Sequence, residues 1–363
     1  MSVRIQGGYG FRLTEVGKPL ERFELPMMEA GADEVVIEVA GCGVCHTDIG
    51  FAVDGVPTRK ALPLILGHEI SGRVVAAGEQ ATSWMGRTVI VPAVIPCGSC
   101  AACQAGRATI CRNQFMPGND GDGGFATHVR VPSRGLCAVP EQLPAGLDVA
   151  MLSVIADAVT TPWEAIRRAK AGRDDVAVFV GVGGVGGFGV QIAAALGAAV
   201  IAIDIDKDKC ELALRHGAGI ALDPAAMNEK ELKAAVRGFA KQSGRKGIGL
   251  KIFETSGTTA GQQTAYGLMD FGAHLSVVGY TAKKAEFRLS NLMAFDATAR
   301  GNWGCPPEQY PAALDLVLKG KVVIAPYVEL HALEETPAIF DAVARHAIQR
   351  RVILKPAHDG AGH

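Results

Sequence analysis

The chain has 363 residues, 48% of them hydrophobic, and a formal net charge of −1. That length suits two domains with sizeable cores. A charge so near neutral gives no electrostatic reason to expect nucleic acid or a membrane surface as a partner. No uninterrupted apolar run approaches the roughly 20 residues of a membrane span. The opening segment MSVRIQGGYGFRLTEVG has no apolar run of signal-peptide length, so a cytoplasmic location is expected. Nine cysteines in such a chain point to metal and free thiols rather than disulfides.

Up to about residue 150 the chain is rich in Gly, Pro and Val. The runs 35–39, 72–76 and 88–92 are β-type and alternate with Gly/Pro turns, the pattern of an all-β-like domain with few long helices. Within it, Cys45-His46-Thr47-Asp48 follows Gly41-Cys42-Gly43, and Gly67-His68-Glu69 comes after. These segments supply a thiolate, an imidazole and carboxylates, the donor types of a zinc site. Taken alone, His68 reads as an ordinary histidine. Further on stand Cys97, Cys100, Cys103 and Cys111, spaced C-x2-C-x2-C-x7-C, with Gly98 and Gly106 to turn the backbone. Four thiolates at these intervals can converge on one tetrahedral zinc, which would leave no open position and hold the loop in shape. A disulfide pair or an iron–sulfur cluster are the alternative readings.

Near residue 150 the character changes. Residues 147–170 read as helical, with an interruption at Pro162. Strands and helices then alternate: VAVFV (176–180), a helix over about 185–196, AVIAI (199–203), a helix around 207–216, LKIFE (250–254), a helical stretch around 258–270, and HLSVVG (274–279). This alternation predicts a parallel sheet covered on both faces. The loop Gly181-Val182-Gly183-Gly184-Val185-Gly186 lies between an apolar strand and an apolar helix. Gly181 permits the tight turn, Gly183 lets a pyrophosphate approach backbone N–H groups at a helix N-terminus, and Gly186 lets helix and strand pack closely. Asp204 ends the next strand, placed to accept both adenosine ribose hydroxyls. A 2′-phosphate about 4 Å away would repel it by roughly 4 kcal/mol at an effective dielectric of 20, which predicts NAD over NADP. Lys209 could also reach the ribose. After about 300 the chain is mixed in character and ends in the strand-like RRVILKP.

Taken together, GCGVCHTD, GHE, the four-cysteine lobe, GVGGVG and Asp204 resemble the zinc-dependent medium-chain alcohol dehydrogenases, from about residue 25 to the C-terminus. The resemblance implies an α/β fold: a GroES-like β-domain (1–155 and 300–363, with a structural zinc lobe at about 96–112) and a doubly wound Rossmann domain (156–299), with the active site in the cleft between them. It implies two zinc ions per chain and NAD. Cys45 and His68 would ligate the catalytic zinc, with Asp48 fixing the His68 ring and Glu69 behind the metal as an alternate ligand. Thr47 would relay the substrate proton, and His46 would lie near the cofactor phosphates. Thr161, Gly184, Val185 and Val278 would meet the cofactor, and Arg351 its pyrophosphate. Asp157 stands where the family usually carries a cysteine ligand. The charge balance survives the exchange, because one thiolate and one carboxylate neutralise Zn2+ as two thiolates do. Gly50 stands where many members carry a proton-relaying histidine.

Within the family, GHEISG, Asp157 and the loop Gly301-Asn302-Trp303-Gly304-Cys305-Pro306-Pro307 resemble the 6-hydroxycyclohex-1-ene-1-carbonyl-CoA dehydrogenases of anaerobic benzoyl-CoA breakdown. The resemblance implies a secondary alcohol carried as a CoA thioester, whose phosphates need cationic anchors; the candidates are Arg59 with Lys60, and Lys283 with Lys284 or Arg288. A free primary or secondary alcohol or a polyol is the alternative substrate. A zinc-free quinone reductase and a non-enzymatic structural member of the fold are disfavoured by the ligands present. A homo-dimer or tetramer is expected, often formed in this family through an edge strand of the Rossmann sheet, and HLSVVG lies in that region.

Overall fold

The computed structural model describes residues 4–5 and 7–358. Its long strand Glu34–Gly43 is built from β-branched residues, and Val35, Ile37 and Val39 are fully buried. On one side this strand pairs antiparallel with Glu69–Ala77. On the other it serves two partners, His128–Pro132 along residues 34–38 and Arg351–Lys355 at residues 42–43. Strands Val328–Ala332, Thr88–Val91 and Cys137–Ala138 complete a seven-stranded sheet, and a smaller sheet joins Glu21–Glu24, Tyr9–Leu13 and Leu64–Ile65. The final strand therefore returns to the N-terminal domain, which makes that domain discontinuous in sequence.

The 147–170 stretch is broken at 157–159 rather than at Pro162. Val149–Ala156 forms a 3-10 helix whose first turn is capped by Asp148, and Thr160–Ala169 is an α-helix. Pro162 sits in the first turn of that helix, where its missing N–H has no intrahelical partner to lose.

The second unit is one parallel six-stranded sheet. Across it the strands run Ile220–Leu222, Ala199–Ile203, Val176–Val180, Lys251–Glu254, His274–Val277 and Thr298–Gly301. That order reverses direction between Val176–Val180 and Lys251–Glu254, and in such sheets ligands bind beyond the carboxyl ends of the strands at the reversal. Strands Val176–Val180 and Ala199–Ile203 are buried at every position and carry only apolar residues, as a sheet covered on both faces requires. Helices Gly186–Ala195, Lys207–Arg215 and Thr259–Gly267 fall where the sequence places them. Helix Glu229–Gln242 lies outside the expected elements, although Asn228 and Glu231 form a capping box at its start and Leu232 and Val236 bury its inner face. The HLSVVG run gives an interior strand, and the open edge is Thr298–Gly301.

By contacts the chain separates into two units. One runs to Thr160 and takes in Gly304–Leu318 and the chain from Ile324. The other holds Thr161–Trp303 and the short piece Lys319–Val323. Gln191 explains that last piece, since its side chain both donates to the Val323 carbonyl (3.2 Å) and accepts from the Val323 N–H (2.7 Å). Among the described residues, no single helix is long and apolar enough to cross a membrane.

Candidate metal centres and dinucleotide loop

In the first unit, Cys45 caps the helix His46–Ala52, and Asp48 lies in its first turn. The buried Asp48 carboxylate ties two loops together. It accepts from the Cys45 N–H (3.0 Å) through one oxygen and from the Gly67 N–H (3.1 Å) through the other. The second oxygen also lies 3.4 Å from His68 Nδ1. Gly67 has φ +96°, and a Cβ there would stand 2.7 Å from Cys42 Sγ, so only glycine delivers the following histidine in this position.

The donor atoms of Cys45, His68, Glu69 and Asp157 lie within 4.8 Å of one another. Asp157 Oδ2 is 3.6 Å from His68 Nε2 and 3.8 Å from Cys45 Sγ. Donors around a tetrahedral ion with bonds of 2.0–2.3 Å stand roughly 3.3–3.8 Å apart, so these spacings fit one zinc. The electrostatics fit as well. Burial opposes a charged His68, yet Asp48 and Asp157 override it and hold the ring well above its usual range. A metal-free cluster so rich in acid must recruit a proton, and a dication relieves the same excess.

Glu69 is placed differently from Asp157. Arg351 grips both of its oxygens, donating from Nε to Oε2 at 2.8 Å and from Nη2 to Oε1. Both side chains are buried. Burial pushes the Glu69 carboxyl up to about 7, against the pull of Arg351. Gly43 makes the pairing possible. It lies opposite Glu69 on one side and Ile353 on the other, and a Cβ on it would stand 2.1 Å from Glu69 Oε2. Arg351, expected at a cofactor pyrophosphate, thus spends its guanidinium on Glu69.

Thr47 Oγ1 lies 3.6 Å from Cys45 Sγ, and exposed His46 stacks on His346 with ring centroids 5.7 Å apart. Gly50 is buried and offers no base. Sequence reasoning missed Tyr310. Its fully buried hydroxyl donates to the carbonyl of Ala156 (2.5 Å) and accepts from the Ala93 N–H (3.1 Å). It thereby fixes the residue just before Asp157. A tyrosine so far along the chain carried no local motif to reveal this.

The four-cysteine lobe has Sγ–Sγ separations of 3.5, 3.5, 3.7 and 4.0 Å. These are close to tetrahedral edges about a Zn–S bond of about 2.3 Å and far beyond a disulfide's roughly 2.05 Å. None of the four is joined in a disulfide. The backbone amides of Ser99 and Cys100 pull the Cys97 thiol down to about 6, while burial pushes Cys103 up to about 12. A zinc ion held by all four sulfurs would have no open position, the arrangement of a structural site.

In the second unit, Gly181 has φ +86° and leads into the helix at Gly186. A Cβ on Gly183 would meet nothing within 4 Å, which leaves the face of the loop clear. A Cβ on Gly186 would stand 1.9 Å from the Gly181 carbonyl oxygen. The Asp204 carboxylate accepts from the Val182 N–H (2.8 Å) and the Asp206 N–H (3.0 Å), so it is fixed beside the loop. Gly184 and Val185 lie in the turn ahead of the helix. Lys209 pairs with Asp206 at 3.5 Å. The Thr161 carbonyl accepts from Asn302 Nδ2, and Val278 donates its N–H to the Glu254 carbonyl. These features fit a dinucleotide.

Comparison with known proteins agrees. Residues 31–141 match the alcohol dehydrogenase GroES-like domain, and residues 184–319 match the zinc-binding dehydrogenase domain. An alcohol dehydrogenase from Geobacillus stearothermophilus is 31% identical over 96% of this chain and 98% of its own length. One from Rhizobium meliloti (strain 1021) is 30% identical over 94% and 96%. The crystal structure of the alcohol dehydrogenase from the hyperthermophilic archaeon Aeropyrum pernix superposes with a TM-score of 0.86 at 27% identity, covering 96% of this chain and all of that one. Matched along both units, and carrying donor sets that fit two zinc ions, this chain belongs to the zinc-dependent medium-chain alcohol dehydrogenase family and is an oxidoreductase of that type.

Proposed function

We propose that the chain oxidises a secondary alcohol with NAD at a zinc held by Cys45, His68 and Asp157. The observation that carries the reading is the donor geometry at Asp157, whose carboxylate spans both other ligands at tetrahedral spacing while Glu69 is committed to Arg351. When bound, zinc supplies Lewis acidity of the kind that brings the pKa of bound water from 15.7 to about 7, and NAD supplies the hydride acceptor. The residues do the rest. Asp48 orients His68 through its second nitrogen. Thr47 is the first group to take the alcohol proton, and with glycine at position 50 the proton leaves by another route. Asp204 selects NAD by repelling a 2′-phosphate.

For the substrate, we infer a cyclic alcohol presented as a CoA thioester, 6-hydroxycyclohex-1-ene-1-carbonyl-CoA, oxidised to the conjugated 6-oxo product. Asp157 and the 301–307 loop support this by resemblance. Of the two sets of basic anchors, Arg59 and Lys60 are already paired with Asp120 (3.0 Å) and Asp122 (2.6 Å). That leaves the exposed Lys283 and Lys284 as the better phosphate contacts. A free alcohol is the second reading, favoured by relatives that are alcohol dehydrogenases. The test is NAD and NADP reduction with a hydroxyacyl-CoA set against simple alcohols and polyols. A kcat/KM for the thioester about 100-fold above every free alcohol, with NAD preferred, is expected. Preference for a free alcohol removes the thioester reading, and preference for NADP removes the role given to Asp204.

We also propose a homo-oligomer formed through the open edge Thr298–Gly301, all four residues of which are exposed, next to the exposed Leu289 and Met293. Light scattering should give a dimer or tetramer, and a monomer at micromolar concentration would remove this proposal. The lack of a disulfide among the nine cysteines suits the reducing cytoplasm.

A further inference from the structure

Strand Lys251–Glu254 ends on a glutamate that is fully buried. Its register sets it beside Val180 on one neighbouring strand and Val277 on the other. That places it at the carboxyl end of the sheet, where the strand order reverses. One oxygen of this carboxyl group, Oε1, accepts three hydrogen bonds: from the Ser256 N–H (2.9 Å), the Ser256 hydroxyl (2.6 Å) and the Gly257 N–H (3.1 Å). The other oxygen, Oε2, is buried with no partner. A buried carboxyl is costly, and burial pushes Glu254 above the usual carboxylate range. Such a group is retained only if its surroundings need it.

Those surroundings are the turn at 255–258, which lies directly against the dinucleotide loop. A Cβ on Gly181 would stand 2.5 Å from Ser256 Cα, and Thr255 donates its hydroxyl to the Gly181 carbonyl at 2.6 Å. The same hydroxyl lies 2.6 Å from where a Cβ on Gly186 would be. The first and third glycines of the loop thus both rest on the turn that Glu254 fastens. On the far side, Gly279 donates its N–H to the Glu254 carbonyl at 2.9 Å, and a Cβ on Gly279 would stand 2.3 Å from the Gly257 nitrogen. The turn is wedged between two strand ends with room for glycine only.

We propose that Glu254 is a positioning residue for the dinucleotide: its carboxyl group locks the 255–258 turn as a rigid brace under Gly181–Gly186, and this brace sets cofactor affinity. The proposal rests on the reading that this loop binds NAD. Glutamine keeps an acceptor at the Oε1 position and resembles the neutral acid in shape. Alanine removes the fastening altogether.

The test is fluorescence titration of NADH into the zinc-loaded protein and its variants, with KM values for NAD and for the alcohol measured alongside. For Glu254→Ala, the NADH Kd should rise about tenfold, the scale of losing hydrogen bonds to a charged or strongly polar acceptor. The KM for NAD should rise in parallel and the KM for the alcohol should not. Glu254→Gln should restore affinity to within about twofold, a rescue that a general packing defect would not show. Should the alanine variant fail to fold, Thr255→Val tests the same brace and should weaken NADH severalfold. An unchanged NADH Kd in Glu254→Ala, or in Thr255→Val, overturns the brace while leaving the NAD reading intact. Wild-type protein that binds no NADH overturns both.

Discussion

In the proposed ligand set, Asp157 decides the chemistry of the metal site at the scale of single residues. A carboxylate in place of a thiolate keeps the zinc centre neutral, but it is a harder donor and can also accept a hydrogen bond. Asp157→Ala should lower bound zinc from two to one per chain by atomic absorption and reduce turnover by at least about a hundredfold. Asp157→Cys should restore the second zinc. Retention of two zinc ions and most activity by the alanine variant would show that Asp157 is not a ligand. Arg351 belongs to the same scale. Replacing it with methionine leaves Glu69 buried without its partner, which should cost about 3–5 kcal/mol in denaturant unfolding. Adding Glu69→Gln should recover much of that loss, and full additivity of the two losses would show that the pair is not coupled. The ligand candidates could be read from sequence because Cys45, His68 and the four-cysteine lobe sit in short motifs. The Glu69–Arg351 pair spans most of the chain and depends on Gly43 between the two strands, and no local pattern announces such a contact.

At the scale of elements, what was legible followed the period of the chain. The apolar runs at 176–180 and 199–203 each became a buried strand, because a sheet covered on both faces leaves no polar position to confuse the reading. The break in the 147–170 stretch was misplaced, since Pro162 in a first turn costs nothing whereas Asp157 leaves the helical region altogether (φ −140°). Helix Glu229–Gln242 escaped notice although its capping box was present in sequence. The cysteine lobe has little apolar burial with which to hold itself together. Its two short helical pieces, Ala101–Gln104 and Ala108–Ile110, have no fully buried residue among them. Zinc must therefore supply most of its order. Cys103→Ser should lose one zinc, expose the 97–111 segment to limited proteolysis and lower the melting temperature by several degrees. A lobe that stays protease-resistant without its metal would show that side-chain packing, not coordination, holds it.

Across the whole molecule the two tasks of the reaction are assigned to separate stretches of chain. Among the described residues, every candidate zinc donor lies in the unit that runs to Thr160, and the glycine loop with Asp204 lies in the other. The two units also have separate hydrophobic cores, one gathered around residues such as Ile37, Leu66 and Phe125, the other around Val178, Ile201 and Ile252. A unit with its own core could in principle fold, and so keep its binding site, without the other. Dialysis against a strong zinc chelator should therefore abolish alcohol oxidation while changing the NADH Kd by less than about threefold, a shift of at most roughly 0.7 kcal/mol. Readdition of zinc should restore turnover, the catalytic site first, because its three protein ligands leave a position open for exchange whereas the four-sulfur site is closed. Turnover that persists in metal-free protein would contradict the assignment of proton and charge handling to Cys45, His68 and Asp157. Loss of NADH binding on chelation would show instead that the dinucleotide loop depends on order imposed from the zinc-bearing unit.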